Sequence, residues 1–180
     1  MASLVAGCAA APPPEPRASV APTSLEEAFA RAHPDALPPG LQRTDAGAPE
    51  VAAILRREGA TELLLPSRLP DGYGLAAPFI GVGNGNALPN PEAWAGGYRV
   101  SYTDGRGVIT ITVGRQRLPG SGPWRPVTGA AWQGRPLAVR TDGATTVVTV
   151  RGSGRQTSVT TIGLAERVAV DVLVGIRPWP

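Results

Sequence analysis

The chain has 180 residues, a length typical of about one domain. It contains 20 Pro and 23 Gly, and the Pro residues are concentrated near the amino terminus. All 17 basic residues are Arg, the formal net charge is +3, and no basic run exceeds Arg56-Arg57, so no nucleic-acid interface is predicted. One Cys and one His exclude an intramolecular disulfide and the usual zinc site. No apolar run approaches the ~18 residues of a membrane-spanning helix. We therefore expect neither a cofactor nor a metal.

The amino terminus carries the motif Leu4-Val5-Ala6-Gly7-Cys8. An aliphatic residue followed by two small residues and Cys resembles the lipobox of bacterial lipoproteins, in which the Cys thiol receives a lipid. Seven uncharged residues precede Cys8, fewer than a full secretion signal requires, so residues 1–8 are interpreted as a signal remnant. The motif predicts lipidation of Cys8 and an anchor on the extracytoplasmic face of the cell membrane.

Residues 9–23 are rich in Pro and Ala and are predicted to form a disordered tether. Extended polyproline II geometry rises about 3.1 Å per residue, so this tether reaches at most about 45 Å from the membrane.

Residues 24–62 are predicted to be a helical segment. Ser24 and Glu27 have capping-box spacing, and a single apolar face follows, ending before Pro34. That face consists of Leu25, Ala28, Phe29 and Ala32. A connector over 34–47 leads to a second short helix, which is predicted to begin at Pro49 and to stop at Gly59.

Residues 63–180 are predicted to be an α+β domain. Apolar residues alternate on both sides of Asp104-Gly105 and again around Asp142-Gly143, and each pattern is typical of a β-hairpin. Within the first hairpin we expect Ile109 to face the core and Thr110 to lie on the opposite face, where a charge is better tolerated. A further strand is predicted over 156–161.

The run 163–176 fits a helical stripe and also alternates as a strand does, and the longer helical pattern favours a helix. The expected fold is an antiparallel β-sheet packed by this C-terminal helix, with one or two short helices and the disordered tether before it.

The order of motifs resembles a known family. Leu69-Pro70-Asp71-Gly72-Tyr73 precedes the hairpin segment Tyr102-Thr103-Asp104-Gly105, with Thr141-Asp142-Gly143 and an amphipathic run after them. This resembles a domain of unknown function, with an "LPxGY" start and a "YxDG" hairpin, found in envelope lipoproteins and in the extracytoplasmic parts of anti-sigma factors. It is also similar to the C-terminal domain of RseB/MucB-type regulators. The resemblance implies an envelope domain that binds or senses, without catalytic residues.

No catalytic site is predicted from the residues themselves. Asp71, Asp104 and Asp142 each precede Gly at a predicted turn, and turn chemistry accounts for all three. His33 lies at a helix end beside Pro34, where a capping or exposed role is favoured over catalysis.

Aromatic residues provide the candidate binding surface, because indole and phenol rings combine apolar area with a hydrogen-bonding group. The candidate residues are Trp94, Trp124, Tyr98 and Tyr102. The alternative is that these rings cover the core.

The resulting hypothesis is a monomeric, non-catalytic envelope lipoprotein that binds an envelope protein or an apolar ligand. The alternatives are an envelope hydrolase acting on cell-wall material and a structural spacer.

Overall fold

The structure, a computed structural model, describes residues 42–82, 97–114, 122–150 and 156–180. Several predicted features lie outside the described residues: Cys8, the tether 9–23, the helix beginning at Ser24, His33 and Trp94. They remain predictions.

The described residues form two helices and ten strands. The helices are α1 (Ala48–Arg57) and α2 (Glu166–Val174). The strands are β1 (Gln42–Thr44), β2 (Leu64–Pro66), β3 (Gly74–Val82), β4 (Tyr98–Thr103), β5 (Val108–Val113), β6 (Arg125–Trp132), β7 (Arg135–Asp142), β8 (Thr145–Val150), β9 (Thr157–Ile162) and β10 (Ile176–Pro178).

Eight of the strands form one antiparallel sheet in the order β1-β3-β4-β5-β9-β8-β7-β6. The remaining two, β2 and β10, pair antiparallel in a small second sheet. The α+β class is therefore confirmed, although the fold is mostly sheet.

Both predicted hairpins are confirmed. In the first, β4 pairs with β5 in continuous register from Tyr98 opposite Val113 to Thr103 opposite Val108. In the second, β7 pairs with β8, and Asp142 lies opposite Thr145. The predicted strand over 156–161 is β9, which is shifted by one residue.

The two described helices are also confirmed. Helix α1 starts one residue before Pro49, and Gly59 follows its end with φ of 96°. Helix α2 resolves the ambiguous run 163–176 as a helix that buries Ala169, Val172 and Leu173. The helix stops at Gly175, because the next residue, Ile176, is buried and pairs with Pro66 of the second sheet.

Strands β1, β6 and β10 were not predicted. Residues 42–44 fall in the predicted connector 34–47 but form β1, and Ile176, the last residue of the predicted helical run, begins β10. Strand β1 has only three residues, too few for an alternating pattern, and it forms because β3 supplies its hydrogen-bonding partner. In β6 the alternation of apolar and polar residues is interrupted at Gly129. This residue has φ of 75° and lies where the register between β6 and β7 shifts.

Strands β4, β5, β8 and β9 form the centre of the large sheet, and it is buried on both faces. Every residue of β4, β5 and β9 is buried, and so are the last five of β8. The register defines a first face containing Val100, Ile111 and Val159, which belongs to the same core cluster as the buried residues of α1 and α2. An antiparallel sheet with one solvated face would alternate between buried and exposed residues, and this one does not.

The expected contrast between Ile109 and Thr110 is therefore wrong. Both side chains have 0% exposure. Alternation in the sequence reports which residues are apolar, and it does not report whether the opposite face is covered. A charge at position 110 is expected to be as destabilising as a charge at position 109.

Two buried threonines provide a test of the packing. Thr161 lies on the first face opposite Ile109, and its hydroxyl has no hydrogen-bond partner within the described ranges. Thr103 is equally buried, but its hydroxyl donates to the Gly107 carbonyl over 2.7 Å and accepts from the Gly105 amide over 2.9 Å.

We predict that Thr161→Val raises the free energy of unfolding by up to about 1 kcal/mol, because it removes a buried hydroxyl that makes no hydrogen bond. The matched Thr103→Val is expected to lower it by about 1–2 kcal/mol, because it leaves backbone groups unsatisfied. Urea unfolding monitored by circular dichroism measures both. Equal effects would contradict the assigned hydrogen bonds.

Candidate functional site

Trp124 is the exposed large apolar side chain in the part of the chain that the structure describes, with 36% of its surface accessible. It immediately precedes β6 at the edge of the large sheet. The pairing of Arg125 with Val139 places Trp124 beside Arg140 of β7. The Arg140 Cζ atom lies 4.6 Å from the centroid of the indole. Such a cation–π contact contributes about 0.5–1 kcal/mol at an exposed site.

The backbone before Trp124 approaches β7 closely. A Cβ atom placed on Gly122 would lie 2.9 Å from the carbonyl oxygen of Thr141. After Trp124, the guanidinium of Arg125 pairs with the carboxylate of Glu166 in the first turn of α2. The indole is thus held between two attached segments, while part of its surface stays accessible to a partner.

Tyr98 and Tyr102 are not part of this surface, which corrects the candidate set. Both are buried on the first face of the sheet, because the helices and the second sheet cover that face. The Tyr98 hydroxyl accepts from the Leu64 amide and donates to the Leu64 carbonyl over 2.7 Å. Burial, and secondarily Tyr98, raises the pKa of Tyr102.

Trp132 has a role similar to that of Tyr98. Its indole nitrogen donates to the Ile176 carbonyl over 2.9 Å, and the side chain is buried. Tyr98 and Trp132 thus connect the large sheet to β2 and β10 of the small sheet. For these two rings the alternative interpretation, that aromatic residues cover the core, is the one the structure supports.

The two motifs that carry the family resemblance meet at the β4–β5 turn. The Asp104 Oδ1 atom accepts hydrogen bonds of 2.8 Å from the amides of both Arg106 and Gly107. The Tyr73 hydroxyl lies against Gly107, where a Cβ atom would come within 2.5 Å of it. The arrangement explains the residue types at these positions by turn geometry and close packing.

The electrostatics of this turn agree with that explanation. Burial alone would raise the pKa of Asp104, but the Arg106 and Gly107 amides outweigh it and lower the pKa below its ordinary value. Burial, and then the negative charge of Asp104, raises the pKa of Tyr73 to about 12. Asp104 therefore stays ionised at neutral pH and its oxygen is committed to the backbone, which does not suit a general acid or base.

A shallow groove of about 410 Å³ lies between α2 and the segment that precedes Tyr73. Sequence reasoning did not predict it, because its walls come from separate parts of the chain. Its lining residues are Arg68, Leu69, Pro70, Asp71, Val168, Asp171 and Val172.

Neither of the two described helices is long and apolar enough to cross a membrane. Among the described residues, no group of three or more His, Cys, Asp and Glu side chains is placed to hold a metal ion.

The sequence matches no protein-family model, and no curated protein matches it. Two of the solved structures that are similar to this chain, at a low level, are complexes of MucB. The crystal structure of MucB in complex with MucA(peri) has 20% sequence identity, a TM-score of 0.38, and coverage of 64% of this chain and 36% of that chain. The Pseudomonas aeruginosa MucA/MucB complex gives 19% identity, a TM-score of 0.36, and coverage of 64% and 34%. The chain thus spans about a third of those chains, and a likeness this weak assigns it no function.

We predict that Asp104→Ala lowers the free energy of unfolding at pH 7 by about 1–2 kcal/mol, since two backbone amides lose their acceptor. Asp104→Asn keeps an acceptor oxygen and is expected to lose less than half as much.

The pH dependence follows from the lowered pKa. The contribution of the Asp104 charge is fully present above the carboxyl's ordinary pKa and is lost as the pH falls through the lower folded value. Denaturant unfolding at several pH values should therefore show the gap between parent and Asp104→Ala narrowing in acid. A gap that stays constant would contradict the assignment.

Proposed function

We propose that this chain is a non-catalytic binding protein of the bacterial cell envelope, anchored through a lipid on Cys8, that recognises a protein partner at the sheet edge around Trp124. The observation that carries this proposal is the exposed indole of Trp124 beside Arg140, at the edge of a sheet whose centre exposes neither face.

The burial of the sheet centre decides where a partner can make contact. Because neither face of the centre is open, contact is limited to sheet edges, loops and helix surfaces. Trp and Arg are the side chains most enriched among residues that dominate binding energy. The pair at Trp124 and Arg140 combines a large apolar area with a cation, which suits a partner segment with an apolar side chain next to an acidic one.

Backbone pairing along β6 is a weaker mode of recognition. An edge strand can accept an added strand, but Pro126 lacks an amide hydrogen and Gly129 marks the irregular register of β6. Both features are typical of edge strands protected from strand addition. We therefore favour recognition by side chains, with Trp124 as the anchor.

The envelope location is supported by the lipobox motif ending at Cys8 and by the Pro-rich residues 9–23 after it. In the two similar solved structures, MucA is the partner of MucB, and this partner is not assigned to the present chain. For this chain, the support for a protein partner comes from its own exposed indole.

We predict that Trp124→Ala reduces partner capture at least about tenfold, the equivalent of 1.4 kcal/mol. Because the ring is part-exposed, the melting midpoint should stay within about 2 °C. The measurement is chemical cross-linking in envelopes of the native host, with the adduct quantified by mass spectrometry.

The control is Arg57→Ala, an exposed position on α1 that should leave the adduct unchanged. If Trp124→Ala forms the adduct at the parental level, the surface is wrongly located. If it melts well below the parent, Trp124 is a structural residue.

A second prediction concerns the anchor. Protein purified from host membranes should carry a lipid on Cys8, visible as a mass increase on the amino-terminal peptide. Cys8→Ser should move the protein to the soluble fraction without changing its circular dichroism. An unmodified Cys8 thiol in membrane-derived protein would refute the anchor.

A further inference from the structure

The groove between α2 and the segment before Tyr73 has walls from two distant parts of the chain. One wall is formed by residues 68–71, and the other by Val168, Asp171 and Val172 of α2. The first wall contains the beginning of the motif 69–73, whose last residue, Tyr73, packs against the β4–β5 turn. Packing at that turn leaves the beginning of the motif unexplained.

The apolar residues of the groove lie deep, and its carboxylates lie at the rim. Val172 is 3% exposed and belongs to the core, while Leu69 and Val168 are partly buried and pack against the core. Asp71 and Asp171, one on each wall, are exposed. A side chain in this groove would therefore contact an apolar floor between acidic edges.

The turn that contains Asp71 does not require an acidic side chain at this position. The Tyr73 amide donates to the Pro70 carbonyl over 3.2 Å, which closes a β-turn with Asp71 in its second position. Asp is favoured at the first position of such turns, which Pro70 occupies here. Within the described ranges, the Asp71 carboxylate forms no hydrogen bond and no ion pair. Turn geometry thus accounts for Gly72, which has φ of 86°, but not for Asp71.

Asp171 is placed against the local electrostatic preference of its helix. It lies in the last turn of α2, where the helix dipole disfavours a negative charge, and this turn contains no basic residue. Its carboxylate Oδ2 lies 3.5 Å from Nε of Arg167, but the Arg167 side chain is 89% exposed and that of Asp171 is 66% exposed. An ion pair this exposed contributes little to stability. Asp171 can therefore exchange Arg167 for a cation of a partner at little cost.

The charges of the groove differ in sign from those of the whole chain. The chain has a formal net charge of +3, whereas the groove has two carboxylates and one guanidinium, that of Arg68. Because the carboxylates lie on opposite walls, a cation between them is attracted by both, and Arg68 opposes it from one wall only. An acidic group would be repelled by a carboxylate on each wall.

An apolar floor between acidic edges matches a basic side chain. Arg and Lys lay an aliphatic stem on apolar surface while the cation stays near water. The groove volume of about 410 Å³ is in the range of sites that hold a small ligand, which leaves room for an apolar side chain beside the basic one.

We propose that the groove between residues 68–71 and α2 binds a protein segment in which a basic residue lies next to an apolar one. The apolar side chain packs on Leu69 and Val168, and the cation lies between Asp71 and Asp171. The groove does not include Trp124, so this inference goes beyond the proposed function and does not depend on it.

The test is a titration of the full chain with a defined peptide. The chain carries Cys8→Ser, so that no lipid is attached, and methyl-resolved NMR follows Leu69, Val168 and Val172. The probe is the blocked tripeptide acetyl-Leu-Arg-Leu-amide, which should shift these methyl resonances saturably with a Kd of about 1 mM or below. The same peptide with neutral citrulline in place of Arg should bind at least about threefold more weakly, because the charge contacts are lost.

Substitutions at the rim should change the affinity in opposite directions. Asp71→Asn and Asp171→Asn should each weaken binding of the Arg peptide about threefold, as expected for the loss of one exposed ion pair. Arg68→Gln should strengthen it about twofold, because it removes the cation that opposes the probe. The matched control is Asp45→Asn, which makes the same change at a 96% exposed carboxylate outside the groove and should leave the Kd unchanged. The circular dichroism of each variant should match that of the parent.

Several results would overturn the proposal. One is the absence of saturable shifts at the methyl groups of Leu69, Val168 and Val172. Others are equal binding of the citrulline peptide, tighter binding of acetyl-Leu-Glu-Leu-amide, and weaker binding of the Arg peptide after Arg68→Gln. If spermidine binds the groove at least as tightly as the Arg peptide, the occupant is a free amine and the protein segment is refuted.

Discussion

The centre of the large sheet has no exposed face, and this constraint determines how the other elements pack around it. All six residues of β5 are buried, including polar Thr110 and Thr112. Burying a hydroxyl costs free energy unless it is hydrogen-bonded, and the Ser101–Thr110 pair shows how the sheet satisfies two of its hydroxyls internally. The same constraint leaves sheet edges, loops and helix surfaces as the places where a partner can make contact, and Trp124 lies exposed at one such edge.

Two aromatic residues extend this constraint to the rest of the fold. Tyr98 bonds to the backbone of Leu64 in β2, and Trp132 bonds to Ile176 in β10. Because β2 and β10 pair with each other, these two hydrogen bonds attach the small sheet to the large one. Helix α2 leads directly into β10. The carboxy-terminal segment is therefore held by the packing of α2 on the large sheet and by the pairing of β10 with β2. Rings that could have served in binding are thereby used to hold the two sheets together.

The sequence predicted the local elements well. The Asp104-Gly105 hairpin, the second hairpin and both described helices follow from turn residues and periodicity. Strands β1 and β6 could not be predicted, since a three-residue strand and a bulged edge strand carry no regular alternation. The burial of Tyr98 and Thr110 could not be predicted from the sequence either, because it depends on which distant segments cover each face of the sheet. Of the candidate surface, the exposed position of Trp124 was anticipated; its stacking with Arg140 was not, since it arises from strand pairing.

Both faces of the sheet centre are therefore expected to be equally shielded from solvent. Methyl-resolved NMR with a soluble paramagnetic probe measures this directly. The methyl groups of Thr110, Thr112 and Thr160 on the opposite face should be broadened no more than those of Ile109, Ile111 and Val159 on the first. Strong broadening of the threonine methyls alone would show that their face of the sheet is open to solvent, which would contradict the burial of Thr110, Thr112 and Thr160.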